Sequence, residues 1–280
     1  MTAGVVVTGA GGLLGRAAVK ALGDRAVALD RAALDITDAD AVVAAVDGAI
    51  AVINAAAFAD VDACEAEPDR AYAVNAAGAA NVARACAAAG AFCVHVSTDF
   101  VFDGTLGRPY VESDEPHPIS VYSASKLEGE RAVRAAGGRA AIVRTAWVYG
   151  SGGRTFFSKV FALAAGGGPV SATVDQLGSP TWAADLAGAL VGLVERPAAG
   201  VFHVAGGGAC SPHEFALAVA DELGFDKAAI AAVKVDDLAG RPAARPVATP
   251  LEGPAWIAAG FEPLRSWRAA LKDAAGAMRP

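Results

Sequence analysis

Tyr122 and Lys126 stand four residues apart in the run Tyr-Ser-Ala-Ser-Lys, and on a helix that spacing puts a phenol and an ammonium on one face. Some 25 residues earlier, Ser97-Thr98 ends an apolar run with strand character, and ligands meet parallel sheets at such strand ends. A hydroxyl, a phenol and an ammonium can together surround one carbonyl. Tyr122 would donate a proton as hydride reaches the carbonyl carbon, while Thr98 hydrogen-bonds the carbonyl oxygen. By itself a Tyr and a Lys at this spacing are an ordinary helix-surface pair, so the chemistry needs a hydride donor nearby.

Residues 9–15, Gly-Ala-Gly-Gly-Leu-Leu-Gly, offer a place to hold one. Glycines 9, 12 and 15 follow GxxGxxG spacing between a strand-like run and a helix-like run. Gly9 permits a tight turn, Gly12 lets backbone N–H groups approach a pyrophosphate, and Gly15 lets the helix pack close to the strand. Leu13 and Leu14 open the helix whose N-terminus favours negative charge. Asp30 ends the second strand about 20 residues on, where a carboxylate binds adenosine ribose hydroxyls. Arg31 follows and could instead grip a 2′-phosphate, so the pair predicts use of both NADH and NADPH. Asp35-Ile36 is placed to meet the adenine, and the small residues Ala55, Ala56 and Ala57, after Asn54, let a dinucleotide lie close to the backbone. Lys126 and the positive nicotinamide ring of an oxidised cofactor would both favour a phenolate at Tyr122, whose unperturbed pKa is about 10.

The elements that must position these groups alternate. Strands are predicted at 4–8, 26–30, 49–54, 91–97 and 139–144, and helices at 14–22, 39–46, 68–89 (one or two) and 123–136. Continuous apolar strands between helices predict a doubly wound parallel α/β sheet. After about residue 150 the pattern weakens. Turns are expected at 166–169 and 197–200, a loop at 206–208, and a helix at 211–223 with Ser211 as cap, Pro212 at N1 and Glu214 at N3. The Pro- and Gly-rich remainder, with Arg-Pro pairs at 241–242 and 245–246, reads as a smaller, loop-rich lobe. The division expected is a dinucleotide-binding domain over 1–150 and a mainly substrate-binding lobe over 151–280, with a segment returning to the sheet.

Composition narrows the classes. The 280 residues are 54% hydrophobic, enough for a large core, and the net charge of −7 carries no Lys/Arg block, which argues against a nucleic-acid partner. No strongly apolar run is long enough for a membrane span, and the first residues lack the features of a signal peptide. A cytoplasmic protein is expected. Cys64, Cys86, Cys93 and Cys210 show no CxxC spacing, and the four His residues are far apart, so no metal site is predicted and the cysteines read as reduced, buried, small apolar residues.

Taken together, NAAAFADVDACE (54–65), STDFVFDG (97–104), YSASK (122–126), RTAWVYG (144–150), DQLGSPT (175–181) and RPVATPL (245–251) resemble the extended short-chain dehydrogenase/reductases, and within them the dTDP-4-dehydrorhamnose reductase family. The match runs from residue 9 to 251. The resemblance implies a Rossmann sheet and reduction of dTDP-4-dehydro-β-L-rhamnose to dTDP-β-L-rhamnose. It implies Tyr122 as proton donor and Lys126 as the group that binds the nicotinamide ribose and tunes Tyr122. Thr98 would fine-tune proton transfer, Thr98 and Asp99 would touch the sugar, and Trp147 would pack on the substrate. Asp175, Gln176 and Thr181 would shape the site. Dimerisation and an association with Mg²⁺ come with the family alone.

Departures from the family pattern are Phe100 for Tyr, Ser123 for Gly and Thr249 for Ser, and no lysine follows in Glu252-Gly253-Pro254. The last weakens the nucleotide-diphosphate end and leaves another 4-keto-deoxysugar open as substrate. A 4,6-dehydratase would carry Thr-Asp-Glu where this chain has Thr98-Asp99-Phe100; an epimerase is not favoured by the subfamily motifs. A non-catalytic subunit resembling the regulatory subunit of methionine adenosyltransferase would bind NADPH without consuming it.

Overall fold

A computed structural model describes residues 4–152, 155–165, 169–238, 240 and 242–278. Its centre is a six-stranded sheet, parallel at every pairing. The strands are β1 (Val5–Thr8), β2 (Ala26–Leu29), β3 (Ala51–Asn54), β4 (Phe92–Thr98), β5 (Ala140–Thr145) and, after three short strands, β9 (Gly200–His203), in the order β2-β1-β3-β4-β5-β9. Alternate side chains of each strand feed opposite layers, as a pleat requires. Val5, Val7, Ile53, Val94 and Val143 face α1 (Leu13–Leu22) and α8 (Ala183–Glu195). Val6, Val52, Cys93 and Ile142 face α2 (Ala39–Val46), α5 (Ala79–Ala89) and α6 (Val121–Ala135). This is the doubly wound Rossmann-type sheet that the strand pattern predicted. Its strand order reverses between β1 and β3, so the crevice at their carboxyl ends is where a ligand is expected.

The Ala/Gly-rich stretch after β3 is more divided than expected. It holds α3 (Val61–Ala66), which Asp60 caps by accepting from Ala63 N at 3.0 Å, then α4 (Pro68–Tyr72), a π-helical turn at 73–78, and α5. Helix α6 starts at Val121, two residues before the predicted start, because Ser120 and Ser123 form a reciprocal capping box.

The reading of residues beyond 150 as loop-rich needs correction. Besides α8 and β9 there are α7 (Phe156–Ala165), β7 (Val170–Thr173), β8 (Thr181–Trp182), α9 (Pro212–Leu223), β10 (Ile230–Val233), α10 (Pro254–Ala258) and α11 (Trp267–Met278), and β6 (Val148–Tyr149) lies just before them. Helix α9 carries the Ser211–Glu214 capping box and Pro212 at N1 as predicted. In α11, Trp267, Ala270, Leu271, Ala274 and Ala275 form a helical stripe buried with Phe157, Phe161 and Phe215 in a core of their own. Residues 166–168 of the turn expected at 166–169, and Arg241 of the first Arg-Pro pair, lie outside the described residues. All four cysteines are free and buried. Among the described residues no helix is long and apolar enough to cross a membrane.

Candidate active site

The turn after β1 is built around two glycines that nothing larger could replace. Gly9 has φ 66°, and a Cβ there would lie 2.7 Å from the Ala56 backbone. A Cβ on Gly15 would overlap the Gly9 carbonyl and Ala10 Cα, so helix and turn close only because that atom is missing. Gly12 precedes α1 with no side-chain cap, and the first-turn amides, those of Leu13 and Leu14 among them, have no intrahelical acceptor. A turn without side chains at an uncapped helix N-terminus is a cradle suited to a diphosphate. Ala55 N donates to Thr8 O at 3.3 Å, which lays Ala55–Ala57 beside the turn.

Asp30 also borders the turn, 3.3 Å from where a Cβ of Gly11 would be. Its Oδ1 accepts from the Ala32 and Ala33 N–H groups at 2.9 and 3.0 Å. Arg31 is exposed and its charge helps hold Asp35 below the usual carboxylate range, behind the larger effect of the Thr37 hydrogen bonds. Asp35 is thus a turn-former at the surface. Ile36, its neighbour, is a core residue whose side chain packs on Gly78.

At the carboxyl end of β4 the three catalytic candidates come together. Tyr122 sits in the first turn of α6, half-buried, with the Phe100 ring edge-on at 6.1 Å. Lys126, one turn on and 3% exposed, donates from Nζ to Val96 O at 2.7 Å. Burial pushes its ammonium down to about 8, against the pull of Glu130. The protein's own groups shift Tyr122 away from the phenolate, and the help expected from Lys126 is not among them. Burial pushes the phenol upward, the charges of Asp99 and Cys64 add to this, and only a hydrogen bond with Thr98 opposes it. A phenol so placed stays protonated through neutral pH, the state in which it can donate. Thr98 Oγ1 accepts from Phe100 N and donates to Asp99 Oδ1, both at 3.1 Å. Asp99 is 2% exposed, its Oδ2 accepts from Thr249 Oγ1, and burial raises it to about 7.

Two buried polar groups beneath these residues escaped the sequence reading. Arg144 grips Glu130 with Nε and Nη2 at 2.9 and 2.7 Å, and Ser97 Oγ donates to Glu130 at 2.6 Å. Across β1, β3 and β4, Thr8 donates to Asn54 Oδ1 at 2.7 Å and Asn54 Nδ2 donates to His95 Nδ1 at 3.1 Å. The available signals were an arginine inside the apolar strand AAIVRT and a glutamate one turn after Lys126.

Of the residues expected around a substrate, Trp147 has φ 45°, the one positive value at a non-glycine among the described residues. Its ring stacks on Phe157 at 4.6 Å, and a Cβ on Gly178 would overlap the indole. Such strain is retained where surrounding structure enforces it, as at ligand sites. Gln176 and Thr181 are interior. Gln176 accepts from Thr173 and donates to Pro246 O, while Thr181 donates to Ser179 O and accepts from Gly206 N. Asp175 accepts from Val235 N at 3.1 Å. The polar atoms of these three are thus engaged with neighbouring chain.

Residues 2–279 match the family model described as RmlD substrate binding domain. The chain is similar to dTDP-4-dehydrorhamnose reductase of Mycolicibacterium smegmatis, with 44% identity over 98% of this chain and 85% of that protein. It is similar also to dTDP-4-dehydrorhamnose reductase of Mycobacterium tuberculosis H37Rv, at 45% over 98% and 92%. Among solved structures, dTDP-4-dehydrorhamnose reductase from Bacillus anthracis in complex with NADP superposes with a TM-score of 0.93 at 34% identity, covering 98% of this chain and 99% of that one.

Proposed function

The chain belongs to the RmlD substrate-binding-domain family of dTDP-4-dehydrorhamnose reductases, and on that premise we propose that it reduces the 4-keto group of dTDP-4-dehydro-β-L-rhamnose to give dTDP-β-L-rhamnose. The observation that carries this reading is the meeting of Tyr122, Thr98 and Lys126 at the end of β4, two strands from the turn at Gly9–Gly15. A bound nicotinamide dinucleotide supplies the hydride for the new C–H bond at the sugar's C4. Tyr122 gives its phenolic proton to the oxygen left on that carbon, and Thr98 hydrogen-bonds the same oxygen. Lys126, charged below a pKa of about 8, binds the nicotinamide ribose and steadies the phenolate that remains. Trp147 packs on the sugar and Gln176 and Thr181 fix the wall, whereas the sugar contact expected of Asp99 is set aside, because it is 2% exposed and its two oxygens are taken by Thr98 and Thr249. The division into a dinucleotide-binding part over 1–150 and a mainly substrate-binding part over 151–280 is part of the proposal. So is a cytoplasmic location, and so, on family resemblance alone, are a homodimer and any association with Mg²⁺.

NADPH is the cofactor this reading favours, with NADH accepted as well. Gly9, Gly12 and Gly15 with the amides of Leu13 and Leu14 would hold the diphosphate. Asp30 would take the ribose hydroxyls, Arg31 a 2′-phosphate, and Asp35, Ile36 and Ala55–Ala57 would border the adenine side. Charged hydrogen bonds of this kind contribute about 1.5–3 kcal/mol. Asp30→Ala is therefore expected to weaken NADH about 10-fold or more and NADPH less, and Arg31→Ala to do the reverse. Titrating the fluorescence of each reduced cofactor checks both.

The alternative is a reductase of another nucleotide-linked 4-keto-deoxysugar, favoured by the missing lysine at 252–254. The test follows loss of NADPH absorbance with dTDP-4-dehydrorhamnose. Turnover supports the assignment. Turnover only with a different 4-keto sugar supports the alternative, and NADPH binding without turnover on any of them sinks the enzymatic reading.

A further inference from the structure

Thr98 has one hydroxyl proton and three claims on it: the substrate's carbonyl oxygen, Asp99 and the Tyr122 oxygen. For reduction it must donate to the substrate's carbonyl oxygen, yet in the structure it donates to Asp99 Oδ1 at 3.1 Å while accepting from Phe100 N. The other oxygen of Asp99 accepts from Thr249 Oγ1 at 2.5 Å. Thr249 arrives from a distant stretch of chain that is firmly held. Its N–H donates to Leu177 O at 2.9 Å, Tyr110 N donates to Pro250 O at 2.8 Å, and Arg245 pairs with Asp62 of α3 at 2.6 Å. A carboxylate only accepts, so an ionised Asp99 keeps the Thr98 proton for itself. A carboxylic acid carries an O–H of its own and leaves Thr98 free to donate elsewhere.

We propose that Asp99 is a positioning residue that decides whether Thr98 donates to the substrate's carbonyl oxygen or is held back, with Thr249 setting the balance. The proposal rests on the keto-reductase reading above. The decision falls in the neutral range, because burial lifts Asp99 to about 7 while the Thr249 and Thr98 hydrogen bonds pull it down. The titratable groups facing it are Tyr122 of α6 and, beyond Tyr122, Cys64 of α3. Burial raises both, Cys64 to about 11, so both are neutral there. Lys126, one turn along α6, titrates near 8. The sign follows: below about 7 Asp99 is an acid, Thr98 is released and reduction is fast. Above it Thr98 is withheld and reduction slows.

Infrared difference spectra between the wild type and Asp99→Asn read the acid's carbonyl band directly as pH is raised. The band is expected to fade with a midpoint near 7, and kcat/KM for reduction to fall with the same midpoint. Thr249→Val removes a donor to the carboxylate and should move band and rate limb upward together by about one unit. Thr249→Ser should restore both, and Asp99→Asn should lack this limb and keep only the later one that Lys126 gives near 8. A band absent across the range, a limb near 7 that persists in Asp99→Asn, or a Thr249→Val limb that stays put while its band moves would overturn the proposal. Should Thr249→Val fail to fold by circular dichroism, Asp99→Asn and Thr249→Ser still decide it. A wild type without turnover at any pH would instead sink the keto-reductase reading.

Discussion

Tyr122→Phe is expected to lower kcat for reduction by about 10²–10⁴-fold and to leave NADPH binding nearly unchanged. The ring is half-buried with Phe100 against its edge, so losing one oxygen preserves the packing and removes only the proton. Its ionisable neighbours are engaged elsewhere. Asp99 lies behind Thr98, and Lys126 spends a hydrogen bond on Val96 O. The upward push on Tyr122 has a second consequence. The phenol stays protonated across the working range, so the wild-type pH profile should contain no limb from Tyr122 itself, and alkaline loss of activity must come from groups that titrate lower. Lys126, at about 8, is one of these. Stopped-flow traces of NADPH oxidation under single turnover separate the chemical step from product release. A chemical step of wild-type speed in Tyr122→Phe would exclude the phenol as proton donor and move that role to Thr98 or to solvent.

What the sequence made legible and what it concealed have a common physical origin. The turn at Gly9–Gly15 was readable because only glycine satisfies a positive φ and a helix set against its own turn. Helix α9 was readable because Ser211, Pro212 and Glu214 each occupy a position with its own stereochemical demand. Tyr122, Lys126 and Thr98 could be brought together because strand ends and helical spacing are local rules. The short strands around and beyond residue 150 defeat local rules. β6 and β8 are two residues long and exist only because they pair with each other. Helix α11 has five alanines among its twelve residues, and alanine favours helix without marking a buried face. Asp99 could be placed next to the chemistry, but not turned away from it. Its orientation depends on Thr249, 150 residues later, and no spacing rule reaches that far. The same holds for Tyr122: the sequence shows its lysine neighbour, whereas burial, a property of the whole fold, sets the direction of its shift.

Glu130→Gln should first of all cost stability, about 3–5 kcal/mol by the usual penalty for leaving a buried charge without its partner. Arg144 and Glu130 side chains are 2% and 0% exposed, and the Phe102 face, 5.2 Å from the guanidinium, offers only a weak substitute. Against a total of about 5–15 kcal/mol for a folded domain, that loss should lower the urea midpoint sharply. Removing both charges is the informative control. Glu130→Leu with Arg144→Met should recover much of the stability, since apolar pairs often replace buried ion pairs at no net cost. If stability were all the pair provided, the double variant would behave like the wild type. It should not. Glu130 is the group that holds the Lys126 ammonium up against burial and that Ser97, next to Thr98, donates to. With that carboxylate gone, Lys126 should lose its proton at lower pH, and alkaline loss of activity should begin earlier in a protein that is otherwise stable. A double variant with wild-type stability and an unmoved pH profile would make the ion pair a dispensable piece of the core. A recovered midpoint with an acid-shifted profile would mean that the pair is kept for the lysine one turn away.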